Sequence, residues 1–216
     1  MVYYGRMAPH TFQPSAPPRT GHLILALPLL MLLSQPTGAL AEEPDATSIF
    51  FLFTDHIARQ IAVDKEQFAT ADVCTHWFYQ QLRPKRGAPP VQPTADAADD
   101  CRTKYPDGIQ GAREQLSRTQ SWLSLSLTFY EFALVGDADD DGRYSDEELR
   151  DILQAFGFTL DDLTARPILV ATLNNKFDSI HKFGGMEALM TGMGTLYEKG
   201  YRLTSHDREA LDRIMG

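Results

Sequence analysis

The sequence predicts an all-α fold. Apolar residues recur at the 3.6-residue helical period in several long segments, as in Phe51, Ile57, Ile61 and Phe68. No convincing run of alternating apolar and polar residues marks a strand. Glycine and proline fall between the periodic segments, where they stop helices.

The first forty-one residues stand apart from that fold. Arg6 and Arg19 precede an apolar run, Leu23 to Leu33, and Pro36, Gly38 and the small-residue site Ala39-Leu40-Ala41 follow it. A basic flank, a short apolar core and an A-x-A ending describe a secretory signal peptide, cleaved here after Ala41. The run of about eleven residues is too short to cross about 30 Å of hydrocarbon. An uncleaved anchor is the competing reading, and Pro28 inside the run weighs against it. The expectation is an exported protein, periplasmic or secreted, with no membrane span in the mature chain. Residues 42–216 suffice for one domain with a real core. Within it, an N-terminal helical region (42–107) and a second one (108–216) are expected to pack as a single compact unit.

The formal charge is −9, and the leader holds two arginines and no acid, so the mature chain is more acidic still. Phosphate binding needs clustered Lys and Arg, so nucleic acid is excluded as a partner. An acidic balance suits solubility and cation binding.

Helical periodicity covers Ser48 to Leu82, with Asp64 and Asp72 placed to cap breaks within it and Pro84 to end it. Lys85 to Asp100, rich in Pro, Ala and Asp, reads as a loop. A long helix over Gly108 to Val135 follows, with Leu116, Trp122, Leu123, Leu127, Phe129 and Phe132 on its apolar side. A short helix from Asp146 to Phe156 stops at Gly157. Thr159, Asp161 and Asp162 start another, which restarts at Pro167 and runs to about Asn174. The spacing predicts two more, Met186–Lys199 and Ser205–Met215. The only two cysteines are Cys74 and Cys101. In an oxidising compartment their simplest state is a disulfide, closing a loop of about 28 residues and stabilising by about 3 kcal/mol; free or metal-bound thiols are the alternative.

Between the two central helices lies Asp137-Ala-Asp139-Asp140-Asp141-Gly142-Arg143-Tyr144-Ser145-Asp-Glu-Glu148. Counted from Asp137, the acids Asp137, Asp139 and Asp141 stand at positions 1, 3 and 5, Gly142 at 6 and Glu148 at 12, which satisfies D-x-[DN]-x-[DN]-G-x5-E throughout. Calcium is a hard cation that takes six to eight oxygens at about 2.3–2.6 Å. Alternating carboxylates wrap one side of it, and glycine permits the turn that aims the backbone carbonyl of Arg143 inward. Ser145 contributes through a water, and Glu148 closes the shell from the next helix. Asp140 falls outside the ligand set.

Residues 129–156 thus resemble an EF-hand, the helix–loop–helix calcium module. Leu149, Ile152, Leu153 and Phe156 occupy the apolar places of its exiting helix, and Phe129, Phe132 and Ala133 those of its entering helix. Gly136 departs from the usual bulky residue, and Tyr144 takes the place of the usual aliphatic at position 8. The resemblance implies one bound Ca2+. EF-hands normally pair, and the spacing between paired hands lands on Ile180. There Leu173 to Gly184 reads equally as a degraded, ligand-free loop of a second hand (about 165–192) or as a plain helix.

Met186, Met190 and Met193 form a stripe that serves core packing or, in a calcium sensor, a target groove. His56, His76, His181 and His206 lack metal or catalytic spacing, and no catalytic motif is present. The sequence therefore predicts a calcium-binding exported protein with a structural ion. The alternatives are a calcium-responsive protein that binds a partner protein through an apolar face, and an enzyme with an accessory calcium site.

Overall fold

The computed structural model describes residues 44–83, 95–158 and 166–216, all within a compact unit, Glu42–Gly216. The leader, the connector from 84 to 94 and the helix start at Thr159, Asp161 and Asp162 lie outside the described residues. Among the described residues there are seven helices and no strand: α1 (Ala46–Leu82), α2 (Ala95–Lys104), α3 (Ile109–Val135), α4 (Asp146–Ala155), α5 (Arg166–Phe183), α6 (Met186–Glu198) and α7 (Ser205–Met215). The all-α expectation holds.

The axis of the fold is the pairing of α1 with α3, the most extensive contact between any two helices. Asp45 caps α1 by accepting the Ser48 N–H at 2.6 Å. From there Ile49, Phe53, Ile57 and Ile61 are buried at helical spacing. They meet Leu125, Phe129, Phe132 and Ala133 of α3 in one core. Four phenylalanines join its layers. Phe129 meets Phe177 of α5 edge-on at 4.6 Å and stacks on Phe156 at 5.4 Å, and Phe132 stacks on Phe156 at 4.6 Å. On the other side α6 crosses α4 so closely that a Cβ on Gly192 would lie 3.1 Å from the Ala155 carbonyl oxygen.

The structure corrects three expectations. The helix expected to end near Asn174 runs on to Phe183, because Leu173, Phe177 and Ile180 form a buried stripe that continues through the two asparagines. Of the two readings of 173–184, the continuous helix is the one observed, in place of a degraded second loop. Gly184, at φ +70°, turns the chain out of α5, and the Gly185 N–H bonds back to the Ile180 carbonyl. The connector expected as a loop up to Asp100 becomes α2 from Ala95, where alanines favour a helix and Cys101 packs against α1. Finally, α1 has no breaks for Asp64 and Asp72 to cap. Asp72 lies beside His76 one turn on, at 3.5 Å.

At 1.5 Å per residue α1 is about 55 Å long and outruns the main core. Its far end is covered separately. Cys74, Trp77, Cys101 and Ala112 form a second small cluster, with Phe78, Ala98 and Tyr105 against it. Arg102 lies over the Trp77 ring at 5.1 Å. The Cα atoms of Cys74 and Cys101 are 5.4 Å apart, as a disulfide requires, so the cysteine pair unites α1 and α2. Reduction, or Cys74→Ser, should lower unfolding free energy by about 3 kcal/mol; denaturant melts with and without reductant measure it.

Asp64 does something other than cap. It is 1% exposed, on the same stripe as Ile57 and Ile61. Its Oδ2 accepts from Ser126 of α3 at 2.6 Å and pairs with His181 Nε2 of α5 at 2.9 Å, while Oδ1 accepts from Gln60 at 2.9 Å. Burial pushes the carboxyl up, but the bonds from His181, Ser126 and Gln60 outweigh burial, and the net direction is down from 3.8. A depressed folded pKa stabilises above the unfolded value, and the contribution disappears as pH falls below about 4. His181→Ala should cost about 2–3 kcal/mol, because it strips a buried carboxylate of a partner. The stability gap between wild type and Asp64→Asn should shrink as pH is lowered through 4 in urea melts.

Candidate metal centre

The acidic loop connects α3 to α4, and the sequence explains why the chain turns there. Gly136 caps α3 with ordinary helical φ, so it is needed for space rather than conformation. A Cβ there would stand 2.6 Å from Ile152 Cδ1 and 2.9 Å from its Cγ1. The departure from a bulky residue lets α4 approach. Gly142, at φ +77°, and Asp140, at φ +62°, supply the two left-handed turns that curl the loop. Ser145 then caps α4 in a capping box with Glu148, and Asp146, Glu147 and Glu148 complement the positive helix end.

The curl brings Asp137, Asp139 and Asp141 together, with one carboxylate oxygen of each within 4.8 Å of the others. Asp137 is buried, whereas Asp139 and Asp141 are exposed. Asp137 Oδ2 accepts the Gly142 N–H at 2.8 Å, and Oδ1 accepts the Asp141 N–H at 3.1 Å. Its carboxyl is pushed up to about 6, first by burial and then by the charges of Glu148 and Asp141, which outweigh those two N–H groups. The two N–H groups compensate this carboxylate only in part, so a cation could be accommodated beside it.

Glu148 is buried beside the triad, but its oxygens clasp the loop. Oε1 accepts the Ala138 N–H at 2.6 Å and Oε2 the Ser145 N–H at 2.7 Å. The group placed to hold a metal is thus Asp137, Asp139 and Asp141. The Arg143 and Ser145 side chains are exposed on the rim.

Tyr144 has a partner other than a second loop. Its backbone N–H points to the Ala46 carbonyl in the first turn of α1 at 3.4 Å, and Phe50 meets its ring edge-on at 5.0 Å. The ring is fully buried, its hydroxyl donates to the Ala133 carbonyl at 2.6 Å, and burial holds the phenol well above its usual range. The start of α1 therefore covers this loop at Tyr144.

Sequence reasoning missed Asp140. Its carboxylate reaches the last helix, with Oδ2 3.2 Å from Thr204 Oγ1 and Oδ1 3.0 Å from His206 Nδ1. Asp64, Ser126 and His181 were likewise unforeseen as a group. For Asp64 a signal existed, since an acid on an apolar stripe demands partners. The methionine stripe divides: Met193 is core, Met186 packs partly against it and Met190 is exposed.

Among known proteins, neither a family model, nor a curated sequence, nor a solved structure matches this chain.

The close approach of α4 to Gly136 gives a direct test of the loop's scaffold. Gly136→Ala should destabilise by about 1–3 kcal/mol through overpacking against Ile152. Trimming the clashing methyl with Ile152→Val should recover part of that loss, and non-additivity in a double-mutant cycle measures the coupling.

Proposed function

We propose that this chain is an exported helical protein that binds one calcium ion in the Asp137–Glu148 loop, as a lone EF-hand-like site, and that the ion braces the fold. One observation carries the reading. Three carboxylates converge within 4.8 Å, in a loop curled by left-handed residues. The donors are all oxygen, which fits a hard divalent cation. Asp137, Asp139 and Asp141 would hold the ion, and the resemblance adds the Arg143 carbonyl, Ser145 through a water, and Glu148. To ligate, Glu148 must share or release an oxygen now held by the Ala138 or Ser145 N–H. When bound, the ion supplies the positive charge that offsets the repulsion among these groups.

Two features support a bracing role over a sensing one. Leu149, Ile152 and Leu153, the apolar side of α4, and Phe156 at its C-cap are all buried in the shared core. The loop's neighbour is the chain's own first helix rather than a detachable partner. Outside the cytosol calcium is plentiful, and extracellular modules bind at about 10⁻⁴–10⁻³ M. The calcium-responsive alternative draws on Phe183 and Met190, which are exposed.

Calcium titration calorimetry on the chain lacking residues 1–41 should give one site. At a hundredfold over the Kd, calcium should stabilise by about 2.7 kcal/mol. Asp137→Ala or Glu148→Gln should abolish the heat. Binding of an apolar dye should stay unchanged when calcium is added, and dye uptake would favour the responsive alternative. Neither heat nor a gain in melting temperature in millimolar calcium would defeat the proposal.

A further inference from the structure

We infer that α7 is a latch whose docking is coupled to the state of the acidic loop, an inference that rests on the calcium reading above. At 1.5 Å per residue this helix of eleven residues is about 16 Å long, below the length at which a helix holds its form alone in water. Asp207 is its one buried residue, and Ala210, Leu211 and Ile214 are only partly buried against the core. Its place is therefore set by this shallow packing together with ties at its two ends.

At the N-terminal end, Thr204 caps α7 in a reciprocal box with Asp207, and Thr204 Oγ1 also lies 3.2 Å from Asp140 Oδ2. His206 Nδ1 lies 3.0 Å from the other Asp140 oxygen. At the opposite end Lys65 of α1 donates to the Ile214 and Met215 carbonyls at 3.2 and 2.9 Å, which satisfies the open end of the helix. Between the ties, Tyr130 of α3 lies within the fields of Arg213 and Asp207, and burial pushes its phenol up.

The N-terminal tie is the informative one, because Asp140 belongs to the loop. It stands between Asp139 and Asp141 with its backbone left-handed at φ +62°. Its carboxylate therefore points wherever the loop's curl sends it. The curl seen here presents Asp140 to Thr204 and His206, and a cation held by Asp137, Asp139 and Asp141 would favour that curl by offsetting their repulsion. Spreading of the loop by the repulsion of its own acids would take that acceptor away, and α7 would keep the Lys65 tie and the packing of Ala210, Leu211 and Ile214. Coupling of this kind is reciprocal. Whatever docks α7 more firmly must also raise cation affinity, even from the far end of the helix.

Lys65 makes the test, because it holds α7 without touching the loop. In hydrogen exchange on the full chain, α7 amides should exchange about tenfold slower in calcium than in chelator. Lys65→Gln should speed α7 exchange and weaken calcium binding about fivefold, with the stoichiometry still one. His206→Ala should act the same way from the loop side, with circular dichroism reporting that both variants fold. Calcium heat on the wild type with no change in α7 exchange would overturn the latch while leaving the calcium reading intact. So would faster α7 exchange in Lys65→Gln at unaltered affinity. Absence of any heat on the wild type would remove the calcium reading, and the latch with it.

Discussion

A single helix–loop–helix has an apolar side on each of its helices, and nothing within it can cover both. That constraint organises the chain. Phe129 and Phe132 of α3, Ile152 and Leu153 of α4 and Phe156 at its C-cap are all buried. The surrounding helices lie where they bury these residues. Phe177 of α5 abuts Phe129, α6 closes on α4 at Gly192, and the first turns of α1 lie over Tyr144. Fully burying a side chain of this size is worth about 1.5–3 kcal/mol, so the apolar cover outweighs any one polar tie at the loop.

The loop sits at the edge of that covered body, which explains how it holds so many acids together. Its backbone N–H groups point inward and partly compensate Asp137 and Glu148, and capping at α4 absorbs part of the charge. The exposed pair, Asp139 and Asp141, leaves the remainder to water or to a cation.

Much of the fold was legible in the sequence, because helices announce themselves by period. The bounds expected for α7 are those observed, and those for α1, α3, α4 and α6 differ by one or two residues, the usual fraying of helix ends. The extent of α5 was not legible. Two asparagines and an Asp before Gly184 carry turn propensity, and only the burial of Leu173, Phe177 and Ile180 in the finished core overrides it. α2 was hidden for a related reason, since its cover comes from Trp77 and Cys74, distant in sequence. At the site, the spacing of acids and glycine marked Asp137, Asp139 and Asp141, because chemistry dictates that spacing locally. Asp140, Asp64 and His181 acquire their partners across 60 to 120 positions of chain, which no local pattern records.

The length of α1 has a consequence of its own. One rod runs from the acidic loop to the cysteine pair, and its midpoint is fastened by Asp64. Melting that begins at either tip meets a differently built obstacle: the cysteine pair towards one, the buried Tyr144 ring and its backbone bond to Ala46 at the other, a hydrogen-bonded carboxylate between. A change of redox poise therefore acts on one stretch of the helix only, and by itself does not let the rod unwind along its whole length.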